Sequence, residues 1–131
     1  MKPGLQIGQT ATIKTQVSAE MFAQFEGEVV HPAYSTVSMI YHMEWASRKI
    51  ILPFLEEDEE GMGSAVSAKH LAPSPAGSHL TITAKVVQYE RNLVVTEVSV
   101  FQGTELVGIG EVKQVILSKR KIAERLNLRP Q

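Results

Sequence analysis

Residues 33–54, AYSTVSMIYHMEWASRKIILPF, decide how the rest of the chain is organised. Apolar side chains recur there every three or four residues, which is typical of an amphipathic helix. We expect this helix to begin near Ser35 or Thr36 and to end between residues 53 and 55, where a proline interrupts it. At about 100° per residue, the apolar side chains share one arc of about 160° with Glu44. The pattern therefore predicts a carboxylate on the side of the helix that faces the core.

The helix has two predicted faces of different chemistry. The inner arc carries Thr36, Val37, Met39, Ile40, Met43, Glu44, Ser47, Ile50, Ile51 and Phe54, and the outer side carries Ser35, Ser38, Tyr41, His42, Trp45, Arg48 and Lys49. Because burial of a lone carboxylate costs free energy, Glu44 requires a donor. Arg48, one turn further along, is one candidate in a helix-edge ion pair. A histidine on an adjoining strand is the other.

Composition limits the class of protein. The chain has 131 residues, a formal net charge of -1, 44% hydrophobic and 21% charged residues, and no cysteine. These values predict one globular domain over 1–131, without disulfides or thiolate chemistry. The balanced charge predicts no nucleic-acid partner. No apolar run is long enough to span a bilayer and no signal-peptide core is present, so we expect a cytoplasmic protein without a membrane partner.

After Gly61 the hydrophobic period changes from the helical repeat to two. Candidate strands cover 63–72, 78–90, 93–102 and 106–117, and an earlier one covers 9–17. Short turns between the long strands indicate an antiparallel meander, so the chain has an α+β layout with the helix across one face of the sheet. We also expect a helical turn opened by Ser18, an irregular segment before Pro32, a solvated acidic loop over 56–60, and a basic tail over 118–131 that can form one helix.

His70 is the candidate that pairs with Glu44. Alternation in the strand 63–72 places Val66, Ala68 and His70 on the helix side. A core histidine with satisfied hydrogen bonds is the plain alternative. Inward Glu, Thr and His side chains on two adjoining elements nevertheless suit general-base hydrolysis. No histidine pair has metal-ligand spacing with a carboxylate, so we predict no metal site.

These residues together resemble a known family. Thr36 stands eight residues before the Glu44 of MEWA, and the pattern G-x-G-S-x-V-x-x-K-H-L-A-P-S-P-x-G follows over 61–77. The segment ELVGIGE ends the match at 105–111. In these features the chain resembles the fluoroacetyl-CoA thioesterase-like branch of the hot-dog fold, over roughly residues 29–117.

The resemblance implies a fold and an activity. In a hot-dog fold a long central helix is wrapped by a curved antiparallel β-sheet. The implied enzyme hydrolyses an acyl-CoA to free acid and CoA, with Thr36, Glu44 and His70 as its catalytic set. Glu44 would activate water or act as a nucleophile, Thr36 would hydrogen-bond the carboxylate or thioester, and His70 would protonate the leaving thiolate or stabilise charge. Gly63 would bring a backbone N–H close to the thioester carbonyl.

The resemblance also implies a substrate and an oligomeric state, and it leaves open which residues bind CoA and which acyl group is hydrolysed. No cofactor is expected, because CoA is part of the substrate, and the assembly would be a homodimer or a dimer of dimers with pockets at the interface. Lys69, Arg91 and the basic tail remain alternatives for binding the CoA phosphates. The segment EGEVVHPAY has no aromatic before Tyr34, so a general short or aryl acyl group stands beside the fluoroacetyl group. A non-catalytic acyl-CoA-binding module and a hydratase of the same fold are the other functions considered.

Overall fold

The long helix predicted from the opening stretch lies at the centre of the structure. In the computed structural model, which describes residues 1–128, it spans Thr36–Ile51 (α1) and continues as one 3-10 turn over Leu52–Phe54. The other elements are β1 (Thr10–Gln16), β2 (Phe22–Phe25), β3 (Glu28–Tyr34), β4 (Glu59–His70), β5 (His79–Glu90), β6 (Leu93–Gln102), β7 (Glu105–Ser118) and α2 (Lys119–Asn127). A second 3-10 turn covers Ala19–Met21.

Five strands form one antiparallel sheet in the order β1-β5-β6-β7-β4, which leaves β1 and β4 at its edges. Strands β5, β6 and β7 are consecutive and adjacent, so the predicted meander is confirmed. Helix α1 lies across one face and contacts all five strands. This is the α+β arrangement expected of a hot-dog fold.

The core lies between α1 and the sheet. Every second side chain of the strands points toward α1, and these side chains form the sheet's part of the core. The side chains of Leu80, Ile82, Ala84 and Val86 in β5, and of Val94, Thr96, Val98 and Val100 in β6, are all buried. The one polar member, Thr96, has its hydroxyl 2.7 Å from that of Ser47 on α1, so its burial is compensated by a hydrogen bond.

Two glycines in β7 allow α1 to approach the sheet closely. A Cβ atom added to Gly108 would lie 2.4 Å from the sulfur of Met39, and one added to Gly110 would lie 2.7 Å from the sulfur of Met43. The sequence motif GIGE therefore serves close packing between the helix and a central strand.

The segment before the helix differs from the prediction. Residues 18–27 contain only one 3-10 turn, and Phe22–Phe25 is a strand that pairs with Glu28–Tyr34. The segment expected to be irregular is thus the second strand of a hairpin, whose turn has Glu26 and Gly27 at positive φ. The hairpin lacks clear alternation, since its second strand is exposed over most of its length, and period alone could not reveal it.

The acidic run after the helix was predicted as a solvated loop, and this is only partly correct. Residues 56–58 form the loop, while Glu59 and Glu60 begin β4. The Glu60 carboxylate accepts two hydrogen bonds from the Arg48 guanidinium, at 3.0 and 3.1 Å. Arg48 therefore pairs with Glu60, and the proposed ion pair with Glu44 is wrong.

Helix α1 is rotated relative to the predicted arc. Its buried residues are Met39, His42, Met43, Ala46, Ser47, Ile50 and Ile51. Thr36, Val37 and Glu44, expected inside, are exposed, whereas His42, expected outside, is buried. The centre of the buried face is therefore displaced by about 50° at 100° per residue. The hairpin explains the displacement, because its last residue, Tyr34, covers the side of α1 that carries His42.

The basic tail begins as the predicted helix. Helix α2 starts after Ser118, whose hydroxyl oxygen accepts a hydrogen bond from the backbone N–H of Lys121 at 3.1 Å. Its described side chains are exposed or half-buried, and it contacts β7. Residues 129–131 of the predicted tail lie outside the described residues. Within the described part of the chain, no helix is both long and apolar enough to cross a membrane.

Candidate active site

The N-terminus of α1 presents Thr36 to the end of β4. Ser35 is the N-cap residue, since its hydroxyl oxygen accepts a hydrogen bond from the Ser38 backbone N–H at 3.0 Å. Thr36 is the next residue and is not needed as a cap. Its Oγ1 lies 3.0 Å from Nδ1 of His70, the last residue of β4. The structure therefore brings together two of the three residues that the sequence selected as a catalytic set.

His70 occupies a partly apolar environment. Its ring meets the ring of Tyr34 edge-on, with centroids 6.0 Å apart. Burial lowers the pKa of His70, and a weaker interaction with the Ala72 backbone acts in the opposite direction. The neutral imidazole is therefore favoured at neutral pH. Within residues 1–128 its Nε2 atom is buried and has no hydrogen-bond partner.

A pocket of about 310 Å³ opens beside this pair. The pocket is lined by Thr36 and His70, by Ala23 and His31 of the β2–β3 hairpin, and by the loop 71–73. The volume is at the small end of the range for ligand sites, roughly 300–1,000 Å³. Thr36 and His70 are two polar side chains in the lining of this pocket.

Glu44 and Gly63 form a second pair, further along the same two elements. A Cβ atom added to Gly63 would lie 3.2 Å from Oε1 of Glu44. A glycine is thus what allows β4 to approach the carboxylate closely. Next to Gly63 the pairing of β4 with β7 shifts register, and the Glu44 side chain is exposed.

Within one chain, the Thr36–His70 pair and the Glu44–Gly63 pair lie at separate places along α1. Thr36 and Glu44 are eight residues apart on α1, which corresponds to about 12 Å along the helix axis. No hydrogen bond joins Glu44 to Thr36 or His70 in the part of the chain that the structure describes. A single chain therefore presents the predicted set in two parts, Thr36 with His70 and Glu44 with Gly63.

Sequence reasoning missed two residues beside the pocket. The Tyr34 hydroxyl lies 2.6 Å from Nδ1 of His42, and both side chains are buried. Burial raises the pKa of Tyr34 and lowers the pKa of His42, so both groups are neutral at neutral pH. Helix periodicity placed His42 on the outer face, and only knowledge of the hairpin could have placed Tyr34 against it.

A larger cavity lies elsewhere. It has a volume of about 690 Å³ and is lined by outward side chains of the sheet, among them Lys69, Lys85, Glu97 and Glu111. None of Thr36, Glu44, Gly63 and His70 lines it, so size alone does not select the site. Among residues 1–128 no group of three His, Asp or Glu side chains is arranged to hold a metal ion.

Comparison with known proteins identifies the family. The sequence profile of FlK, described as fluoroacetyl-CoA-specific thioesterase, matches residues 17–120. The chain belongs to this thioesterase family. It is accordingly a thioester hydrolase that acts on acyl-CoA.

Individual relatives agree with the family assignment. The fluoroacetyl-CoA thioesterase of Streptantibioticus cattleyicolor is 26% identical over 92% of this chain and 91% of its own length. A Thermus thermophilus hypothetical protein, described as a thioesterase superfamily member, is 42% identical, covers 95% of this chain and 93% of its own, and has a TM-score of 0.91. A hot-dog-like protein of Thermanaerovibrio acidaminovorans, 20% identical over 99% of this chain and 96% of its own, has a TM-score of 0.87 and supports the fold. The fold is therefore the hot-dog fold predicted from the sequence.

Proposed function

We propose that this thioesterase hydrolyses short-chain acyl-CoA, with Thr36, Glu44 and His70 as its catalytic set and Gly63 beside the thioester. The observation that carries the proposal is the 3.0 Å contact between Thr36 Oγ1 and His70 Nδ1 in the wall of a pocket of about 310 Å³. A hydrogen-bonded Thr–His pair in the wall of a small cavity suits an enzyme that orients a small acyl group. The relative that acts on fluoroacetyl-CoA supports a short acyl chain.

The roles follow from the protonation states. Neutral His70 carries its proton on one of two ring nitrogens, and we assign it to Nε2: the Thr36 hydroxyl then donates to Nδ1, and Nε2–H is left as a donor for the substrate. That donor can bind the thioester oxygen or the leaving sulfur as negative charge develops. His70 then contributes mainly by hydrogen bonding rather than as a resident acid.

Glu44 supplies the base in this mechanism. Its carboxylate takes a proton from water, and the water oxygen forms a bond to the thioester carbon. The resulting oxyanion collapses, the C–S bond breaks, and the proton held by Glu44 passes to the CoA thiolate. The products are a carboxylic acid and free CoA, so atoms and charge balance without a further reactant.

A second copy of the chain completes the site in this proposal. Glu44 and Thr36 are both exposed in one chain, and the neighbouring apolar side chains Val37, Tyr41 and Met62 are 73%, 58% and 42% exposed. Strand β4 is also an edge of the sheet. Exposed apolar surface beside a free strand edge favours association of two copies. The homodimer would bring Glu44 of the partner subunit to the Thr36–His70 pocket.

Thiol release tests the catalytic set. Acetyl-, fluoroacetyl-, propionyl-, hexanoyl- and phenylacetyl-CoA are assayed, and the acetyl-sized substrates are expected to have the highest kcat/KM. Glu44→Gln and His70→Ala should each lower kcat by at least about 100-fold, as expected for loss of a general base or of a transition-state hydrogen bond. Wild-type rates in both variants would exclude this catalytic set.

Subunit mixing tests the shared site. Glu44→Gln and His70→Ala dimers are exchanged after native mass spectrometry has established the dimer. If Glu44 and His70 come from different subunits, each mixed dimer has one intact site, and random exchange restores about one quarter of wild-type activity. Complete exchange without recovered activity would place both residues of each site in the same subunit.

A further inference from the structure

Tyr34 joins three parts of the structure at the pocket. It is the last residue of β3 and is only 3% exposed. Its backbone N–H donates to the carbonyl oxygen of Ser74 at 2.9 Å, which ties it to the segment that follows β4. Its hydroxyl reaches across α1 to His42 at 2.6 Å. Tyr34 is therefore held by both its backbone and its side chain.

His42 is held as firmly as its partner. Its ring stacks on the ring of Tyr34, with centroids 5.7 Å apart and 12° between the planes. Tyr41 and Trp45 of the same helix lie against it, with centroids 5.5 and 6.4 Å away. The stack leaves the His42 imidazole little freedom to turn, so the hydrogen bond fixes the plane of the Tyr34 ring.

The fixed ring faces His70. The planes of the Tyr34 and His70 rings stand at 77°, the edge-to-face arrangement that aromatic pairs prefer. Thr36 is the one side chain within residues 1–128 that hydrogen-bonds to His70. The imidazole turns about its Cα–Cβ and Cβ–Cγ bonds, and the Tyr34 ring, which meets it edge-on, limits this rotation.

A polar pair is not needed at this place for stability. Burial of a hydroxyl and an imidazole costs desolvation, and a pair of apolar side chains of the same shape would fill the space at similar free energy. What the hydrogen bond adds is a defined orientation. That orientation matters most beside a group that takes part in the reaction, where a displacement of about 1 Å can cost about 100-fold in rate.

We propose that Tyr34 and His42 are positioning residues of this thioesterase: their hydrogen bond fixes the Tyr34 ring, and the ring holds the His70 imidazole in its productive orientation. The inference rests on the role proposed for His70. It adds two residues that act through His70 and do not touch the substrate's reacting atoms.

A double-mutant cycle separates this inference from the proposed function. Tyr34→Phe removes only the hydroxyl and is expected to lower kcat for acetyl-CoA by about tenfold, with KM within about twofold. In the His70→Ala background the same substitution should leave the residual kcat unchanged, because the group that it positions is gone. Tyr89→Phe, at the far end of β5, is the matched control and should retain wild-type kcat.

The outcomes differ for the two proposals. If His70→Ala retains wild-type activity, both the catalytic set and the positioning role fail. If His70→Ala is impaired but Tyr34→Phe has no effect, or the same effect with and without His70, the catalytic set stands and the positioning role is wrong.

A second variant excludes a purely structural role. Tyr34→Phe alone leaves Nδ1 of His42 buried without a partner and should lower the melting temperature. Combining it with His42→Leu replaces both partners by apolar groups, so the melting temperature should recover most of the loss. We expect kcat to stay about tenfold low in that double variant. Recovery of kcat together with the melting temperature would show that packing alone is required and would overturn the inference.

Discussion

Gly63 sets how closely β4 can approach the carboxylate of Glu44. A Cβ atom at this position would lie 3.2 Å from Oε1 of Glu44, a contact tight enough to displace a flexible side chain by a few tenths of an ångström. We expect Gly63→Ala to lower kcat for acetyl-CoA by about tenfold, because small displacements of a reacting group are costly. The midpoint of urea unfolding should change little, since the end of a glutamate side chain can move aside.

Ser67→Ala is the matched control for Gly63→Ala. Ser67 lies on the same strand and is exposed, and its side chain lines the cavity on the other side of the sheet. It should retain wild-type kcat and stability. A Gly63→Ala enzyme with normal kcat would mean that the position of the Glu44 carboxylate in this contact is unimportant for hydrolysis.

At the residue scale, the local sequence pattern predicted the positions of some side chains and not of others. Alternation along β4 placed His70 on the helix side as the expected partner of Glu44, whereas in the structure His70 meets Thr36 at 3.0 Å. Glu44 was predicted inside because its neighbours are apolar, yet it is exposed. The Tyr34–His42 pair depends on how a hairpin folds back on α1, which no repeat within the helix records.

The packing of α1 on β7 depends on two glycines that are not equivalent. At Gly110 an added Cβ atom would lie 2.6 Å from the carbonyl oxygen of Ser67, which belongs to a paired backbone and cannot move aside. At Gly108 the closest atom is the sulfur of Met39, at 2.4 Å, and the nearest backbone oxygen is 3.3 Å away. A methionine side chain can change rotamer, whereas a strand backbone cannot.

We therefore expect Gly110→Ala to destabilise the fold more than Gly108→Ala. Overpacking of this kind costs about 1–3 kcal/mol, and the backbone contact places Gly110→Ala at the upper end. Urea unfolding of the two variants and the wild type measures the difference. The reverse order would show that the strands adjust more readily than the methionine side chains of α1.

At the element scale, long periodic segments were predicted well and the short irregular ones were not. The strands β5, β6 and β7 alternate strictly because one face packs on α1, so their existence and adjacency follow from the sequence. The β2–β3 hairpin is mostly exposed and carries no such pattern. Its absence from the prediction also caused the error of about 50° in the buried face of α1, because a helix covered from two directions buries a different arc.

At the scale of the whole molecule, buried histidines make stability depend on pH. Burial lowers the pKa of both His42 and His70 in the folded chain. Histidines in the unfolded chain have pKa values of about 6.5, so the unfolded chain binds more protons than the folded chain at pH values just below this. The free energy of unfolding increases with pH wherever the unfolded chain binds more protons than the folded chain. The contribution of the two neutral imidazoles is thus fully present above about pH 6.5 and is lost as the pH falls through their folded values.

The carboxylates whose pKa changes on folding affect stability at lower pH than the histidines do. The pKa of Glu59 is lowered chiefly by its hydrogen bond with the Glu56 backbone, and that of Glu60 chiefly by its hydrogen bonds with Arg48. A lowered carboxyl pKa also stabilises the fold at higher pH, but this contribution is lost only below the ordinary value of 4.5. Measurements between about pH 5.5 and 7.5 therefore report mainly on the histidines.

Urea unfolding at several pH values between about 5.5 and 7.5 is expected to give a free energy of unfolding that decreases steadily toward the acid end. The Tyr34→Phe/His42→Leu variant keeps the packing of the buried pair and removes one of the two imidazoles, so its free energy should decrease less over the same range. Adding His70→Ala should flatten the dependence further, because neither buried imidazole then remains to be protonated. If the free energy of unfolding of the triple variant depends on pH as strongly as that of the wild type, groups other than His42 and His70 make the fold sensitive to acid. Burial of neutral imidazoles against the Tyr34 ring would then not set the pH at which the fold loses stability.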